Sequence, residues 1–250
     1  MRVFGISDLH VDYAPNRAFI EDLSRADYRD DLLIVAGDLT HDDRLLLATL
    51  ATLQERFRSV WFVPGNHDLW VDAEGEDSFA KWLRLEAELD TLGIHTRTGS
   101  AGGVRIVPLL TWYDFSFGEP DELLQRAWRD FVRCRWPEAW SMAEVSAAFL
   151  GRNPLPTPRQ PEEFVITVSH FLPRADLLPR VAVERYGFLL PVLGGDGVER
   201  ALRPHEPQLH LYGHSHVPVD KVRDGLRYVN NAKGYPSEYR YADRQLKQLY

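Results

Sequence analysis

Residues 32–38 read Leu-Leu-Ile-Val-Ala-Gly-Asp. A short apolar run rich in branched side chains forms a buried strand, and the Gly-Asp pair stops it. An Asp that ends a buried strand lies where α/β sheets place their ligands. Alone, the pair serves equally well as a turn or a helix cap. The same pattern recurs outward along the chain. Val3–Ile6 runs into Ser7-Asp8-Leu9-His10, and residues 60–63 run into Pro64-Gly65-Asn66-His67-Asp68. Phe164–Val168 precedes Ser169-His170, and Leu209–Tyr212 precedes Gly213-His214-Ser215-His216. A further run covers 104–110. Residues 217–222 and 226–229 flank Asp224-Gly225, a hairpin signal.

Helical spacing fills the gaps. Leu46, Leu50, Leu53 and Phe57 share one face over 43–57, with Asp42 or Asp43 as its cap. Phe79, Trp82, Leu83, Leu85 and Leu89 predict a second helix over 77–91. Leu123, Leu124, Ala127, Trp128 and Phe131 predict a third over 121–133. Strand and helix alternate in the first half, which favours a largely parallel sheet, and the later strands add antiparallel pairing. Residues 112–160 carry Trp112, Trp128, Trp136 and Trp140 and run into the proline-rich stretch 153–161. They are expected to be a helical insertion, a lid or a small aromatic subcore, within a single domain spanning 1–250.

Composition narrows the functions. Against 29 Lys and Arg stand 37 Asp and Glu, a net charge of −8. A chain that tracks a nucleic-acid backbone usually presents a basic surface, so extended nucleic-acid binding is not expected. No apolar stretch reaches the length of a membrane span. Cys134 is the single cysteine, expected to be a packed thiol. The strand at Met1-Arg2-Val3 leaves no room for a cleavable leader, so a soluble cytoplasmic protein is expected.

The polar ends carry the chemistry. Alternation along extended chain would point Asp8 and His10 to one side, and likewise His214 and His216. Each motif alone is weak; a lone His170 is more often structural than a ligand. Together they run D-x-H, G-D, G-N-H-D, S-H and G-H-x-H, each after an apolar run. This ordered set resembles the calcineurin-like metallophosphoesterase superfamily, from Asp8 to His216. Residues 228–232, Tyr-Val-Asn-Asn-Ala, resemble the strand that follows the last motif in such proteins.

The resemblance implies a four-layer α/β/β/α sandwich of two mixed β-sheets flanked by helices. It implies that Asp8, His10 and His216 hold one metal and that Asn66, His170 and His214 hold another. Asp38 would bridge them. Such mixed ligands suit divalent Mn, Fe, Zn or Ni. The implied reaction is hydrolysis of a phosphate ester by a metal-bound hydroxide. His67 would protonate the leaving oxygen or stabilise the transition state, and Asp68 would hydrogen-bond His67. His41 and Arg174, with Arg152 and Arg159, are candidate substrate contacts. His95, His205 and His210 are expected to be structural or exposed.

Protein phosphatases of this superfamily carry arginine before G-N-H and end the motif in Glu. Here Pro64 and Asp68 stand instead, a form nearer the phosphodiesterase and nuclease branches. The lipid-A-pathway pyrophosphatases usually carry arginine where His67 stands. The expected substrate is a small-molecule or nucleotide mono- or diester. The alternatives are a nuclease acting on single strands and a non-catalytic scaffold that has kept its ligands.

Overall fold

A computed structural model describes residues 1–71, 75–137, 140–239 and 244–250. In chain order the first elements are β1 (Val3–Ile6), α1 (Ala14–Glu21), β2 (Leu32–Ala36), α2 (Asp43–Gln54), β3 (Ser59–Val63), α3 (Ser78–Thr91), β4 (Gly99–Ala101) and β5 (Val104–Pro108). Then come α4 (Glu122–Ala127), α5 (Asp130–Arg133), α6 (Met142–Leu150), β6 (Phe164–Val168), α7 (Arg180–Tyr186), α8 (Leu190–Leu193) and α9 (Asp196–Leu202). The chain closes with β7 (Leu209–Tyr212), β8 (Val219–Arg223), β9 (Leu226–Asn230) and β10 (Lys247–Gln248).

Side chains alternate across each strand, so each strand feeds two cores. Val3, Leu32, Ile34, Ala36 and Val63 meet Val104, Ile106, Ile166, Val168, Leu209 and Leu211 in the core between two sheets. The opposite faces carry Leu33, Val35 and Phe62 on one sheet and Val107, Val165 and Tyr212 on the other. These join Leu46, Leu50, Trp82, Leu85, Val145, Phe149 and Leu202 from the helices. Each fully buried side chain of this size contributes roughly 1.5–3 kcal/mol. The expected arrangement of two mixed sheets flanked by helices is therefore what the chain adopts.

The smaller sheet has the order β10-β1-β2-β3 and the larger β4-β5-β6-β7-β9-β8. β1, β2 and β3 are mutually parallel, and so are β5, β6, β7 and β9. β10, β4 and β8 run antiparallel at the edges. Parallel pairing sends the carboxyl ends of β1, β2 and β3 to one edge, and those of β6 and β7 likewise. All five polar motifs lie at those ends. The loops there lace together: Asp8 N–H donates to the Gly37 carbonyl at 2.8 Å, and Gly213 N–H to that of His170 at 2.9 Å. The imidazole of His170 reaches across the sheets to the Ala36 carbonyl.

The helix expected over 43–57 ends at Gln54, and Asp42 caps it by accepting the Leu45 N–H at 3.0 Å. The helix expected over 121–133 is two short helices. Trp128 takes an extended backbone between them and turns its indole to Asp130, and Leu123 is left exposed. The hairpin at Asp224-Gly225 has positive φ at both residues, as its turn requires. The sequence reading missed α1, α6 to α9, β4 and β10. Of these α6 carried a usable sign, because Ser141 and Glu144 form a capping box.

Trp112 is buried against Trp136, Phe149 and Phe171. Trp112 and Trp136 are thus part of a packed aromatic cluster, whereas Trp140 stays 36% exposed beside Phe79. No helix of the described residues is long and apolar enough to cross a membrane.

Candidate metal centre

Five of the seven expected ligands stand on strained backbone. Asp8, His10, Asp38, His214 and His216 have φ of 53°, 39°, 58°, 65° and 52°. A left-handed backbone at a residue other than glycine costs of order 1–3 kcal/mol and gathers at functional sites. This corrects the expectation that strand alternation aligns Asp8 with His10 and His214 with His216. The strands end before the ligands, and left-handed turns bring each pair round.

Three overlapping groups result, each with one ligand atom per residue and all atoms of a group within 4.8 Å of one another. They are Asp8–His10–His216, His10–Asp38–His67 and Asp38–His170–His214. His10 Nε2 lies 3.1 Å from His216 Nε2, which is 3.3 Å from Asp8 Oδ1. His170 Nε2 lies 3.1 Å from His214 Nδ1, 3.2 Å from Asn66 Oδ1 and 3.4 Å from Asp38 Oδ2. The structure thus brings all seven expected ligands together, and Asp38 shares one group with His10 and His67 and another with His170 and His214. His67 sits at the edge, its Nε2 4.0 Å from Asp38 Oδ2 and its ring stacked on Trp70 at 3.9 Å.

The donor set fits divalent ions in the orientation of its rings. His170 turns Nδ1 to the Ala36 carbonyl at 2.8 Å, His214 turns Nε2 to that of Val192 at 3.0 Å, and His216 turns Nδ1 to Glu238 Oε2 at 2.8 Å. Each outer nitrogen has an acceptor, so in the neutral ring the inner nitrogen presents its lone pair to the centre.

Asp68 does different work from that expected. It is fully buried, and its carboxylate accepts the N–H groups of Asp38, Leu39, Thr40 and Gly65 at 2.8 to 3.1 Å. Those bonds fill the carboxylate and tie the two turns together, where a bond to the His67 ring was expected. Burial, with the Asp38 charge nearby, pushes its pKa up to about 6. The turns also press close. A Cβ on Gly65 would stand 2.1 Å from Asp38 Oδ1 and 2.6 Å from Asp38 N. Gly65→Ala should therefore displace Asp38, costing roughly 1–3 kcal/mol of stability by overpacking. At this size that is roughly 2–4 °C of Tm per kcal/mol. A thermal scan and a Mn titration both matching the parent would refute the contact.

Electrostatics pairs the groups. Burial works against charge on Asp8, but the His216 cation overcomes it and holds the carboxyl at about 2. Burial likewise opposes charge on His216, and Asp8 with Glu238 raises it to about 10. His170 is raised to about 9 because Asp38 outweighs its desolvation, whereas burial drops His10 and His214 to about 3. The metal-free centre therefore stores protons on His170 and His216 at neutral pH. Cations must displace them, so metal loading at pH 7.5 should release about two protons. Affinity should rise with pH until those rings deprotonate near 9 and 10, and release should vanish above that. Calorimetry in two buffers of different ionisation enthalpy measures this; a buffer-independent heat at pH 7.5 would contradict it.

A cleft of about 730 Å³ opens from the centre, lined by Asp38, Asn66, His67, His214 and His216. One wall is apolar, with Leu178, Val181, Val183, Tyr186, Leu189 and Leu193. Lys233, Tyr235, Glu238 and Arg244 line it too, and among the described residues of 112–160 only Trp128 does. The apolar wall comes from residues 178–193. Arg174 is engaged with Asp176 and Asp224, and Arg152 with Glu86; Arg159 donates to the Glu163 carbonyl. His41 lies 4.0 Å from Asp12 and 6.1 Å from the Trp70 ring centre. None of these four lines the cleft among the described residues. Among the described residues, Arg185 and Arg244 are the arginines that do. His210 is structural, buried between Thr167 and Ser169.

A family model described as calcineurin-like phosphoesterase matches residues 1–218. The acyl-carrier-protein phosphodiesterase PptH of Mycobacterium tuberculosis (strain ATCC 25618 / H37Rv) is 27% identical over 280 residues, covering 95% of this chain and 79% of that protein. The crystal structure of phosphopantetheinyl hydrolase (PptH) from Mycobacterium tuberculosis matches with a TM-score of 0.73 at 25% identity, over 99% of this chain and 95% of that one. With its five motifs gathered at the carboxyl ends of strands from both sheets and the family match spanning all of them, the chain belongs to the calcineurin-like phosphoesterases and is a metallophosphoesterase.

Proposed function

We propose that the protein is a two-metal phosphodiesterase, and that its substrate is a phosphodiester linking a phosphopantetheinyl arm to a carrier protein. The observation that carries the two-metal reading is Asp38, shared between two ligand groups with His67 beside it. Asp8, His10 and His216 would hold one ion; Asn66, His170 and His214 the other. When bound, such ions supply Lewis acidity and lower the pKa of water. The protein's own part is to place the phosphoryl group among its fixed dipoles and to deliver a proton. His67 lines the cleft on its Trp70 platform, placed to protonate the departing oxygen. Asp68 acts by holding the turns of Asp38 and Gly65 in place.

The substrate class rests on two supports. The relative PptH is named for acyl-carrier protein and for phosphopantetheinyl. The apolar wall beside the centre suits a diester with a bulky, largely uncharged substituent better than a compact free phosphate. This replaces the small-molecule ester expected from sequence. The net charge of −8 likewise weighs against the nuclease alternative. Incubation with Mn and phosphopantetheinylated carrier protein, followed by intact mass, tests the reading. Loss of the phosphopantetheinyl mass is expected. Turnover of aryl phosphodiesters without it would narrow the proposal to a phosphodiesterase of another substrate, and turnover of neither with Mn bound would overturn it.

A further inference from the structure

Asp130 sits on α5, far in sequence from every motif, yet its buried carboxylate faces the metal centre's supports. Its Oδ1 accepts from Asn66 Nδ2 at 2.8 Å and from Trp70 Nε1 at 2.7 Å. Its Oδ2 accepts from Trp128 Nε1 at 2.9 Å and from the Tyr113 hydroxyl at 3.3 Å. Asp130 is 2% exposed. A charge so buried costs several kcal/mol unless it is compensated, and here the compensation is these four donors.

We propose that Asp130 is the positioning residue of this centre, setting a metal ligand and the His67 platform together. An amide can face a cation only through its oxygen. By taking the Asn66 N–H group, Asp130 turns Asn66 Oδ1 toward His170 Nε2, 3.2 Å away. By taking the Trp70 N–H it fixes the indole on which His67 stacks. Asp130, with Trp128 and Tyr113 bonded to it, therefore supports the centre from behind. The short helices α4 and α5 break at Trp128 so that two further donors, Trp128 and Tyr113, can close round the same carboxylate.

This rests on the two-metal reading above, and the test separates the two. Asp130→Asn keeps the shape, but its amide nitrogen must face one pair of donors. Apparent affinity of the weaker site for Co²⁺, followed by its visible absorption, should fall roughly 10–100-fold, as for other residues that orient ligands. The absorption band should shift, and kcat should fall while KM changes less than about threefold. Asp130→Glu should recover part of the affinity. Ser146→Ala removes a buried bond from α6 to the Trp112 carbonyl without touching Asp130. It should lower Tm and leave Co²⁺ binding intact, which excludes general damage to the segment. If Asp130→Asn binds Co²⁺ like the parent with the same spectrum, the proposal is wrong. If it weakens binding while the parent hydrolyses no phosphodiester, the positioning role stands and the functional reading falls.

Discussion

Asp38→Asn should abolish tight binding of the metal pair and lower kcat/KM by roughly 10³-fold or more, about 4 kcal/mol of lost transition-state stabilisation. The size of the effect follows from position. Asp38 Oδ2 faces His170 Nε2 at 3.4 Å, and Asp38 also belongs to the group with His10 and His67. Its carboxylate is held well below the usual range despite burial, because His170 and His67 lie beside it. An amide keeps the shape and the acceptor oxygen for the His67 N–H, which Oδ1 takes at 2.9 Å. It removes the charge that lies beside both His10 and His170. His170 should then lose the main partner that raises its pKa to about 9, and its pKa should fall. Elemental analysis after gel filtration should find less than one metal per chain. A variant that retains two, with kcat/KM within tenfold, would show that Asp38 does not bridge.

Much of this was legible in the sequence because strand ends in α/β sheets are where ligands collect. Apolar runs such as 32–36 announce their strands, and polar pairs such as Gly37-Asp38 announce the sheet edge. The seven expected ligands stand out at those edges, and the resemblance of their order to the family assigns them. Their conformation is not legible there. Left-handed backbone at Asp8 or His216 leaves no mark in composition, so the pairs looked like alternation on extended chain. Supports remote in sequence are equally silent. Asp130 reaches Asn66 across 64 positions, and Glu238 reaches His216 across 22. Nothing local distinguishes such carboxylates from solvated ones. Arg174 misled for the converse reason: a lone arginine near a motif reads as a phosphate contact until Asp176 and Asp224 are seen beside it. The apolar cleft wall hid in 178–193, where α7 has no buried residue and so shows no core-facing stripe.

His67→Asn should spare the metals and lower kcat by roughly 10²–10⁴-fold on an alkyl phosphodiester, the range for lost general-acid help. The argument starts from what the side chain touches. Its backbone N–H bonds Asp38 and is kept in the variant. Its ring stacks on Trp70 and packs edge-on against His10 at 4.8 Å, and it lines the cleft beside Asn66 and His214. The ring is therefore placed to give a proton to an oxygen leaving phosphorus. That role has a signature. An alkoxide leaves poorly without a proton, whereas an aryl oxide leaves well as the anion, so the variant's deficit should shrink to within about tenfold on an aryl diester. A rival role is equally concrete, because His67 also falls within one of the three groups with metal-ligand spacing. As a ligand, its loss would drain metal and slow alkyl and aryl substrates alike. Metal content and the ratio of the two deficits thus separate acid from ligand. Full metal with a deficit confined to poor leaving groups supports the acid, and lost metal with equal deficits replaces it by the ligand.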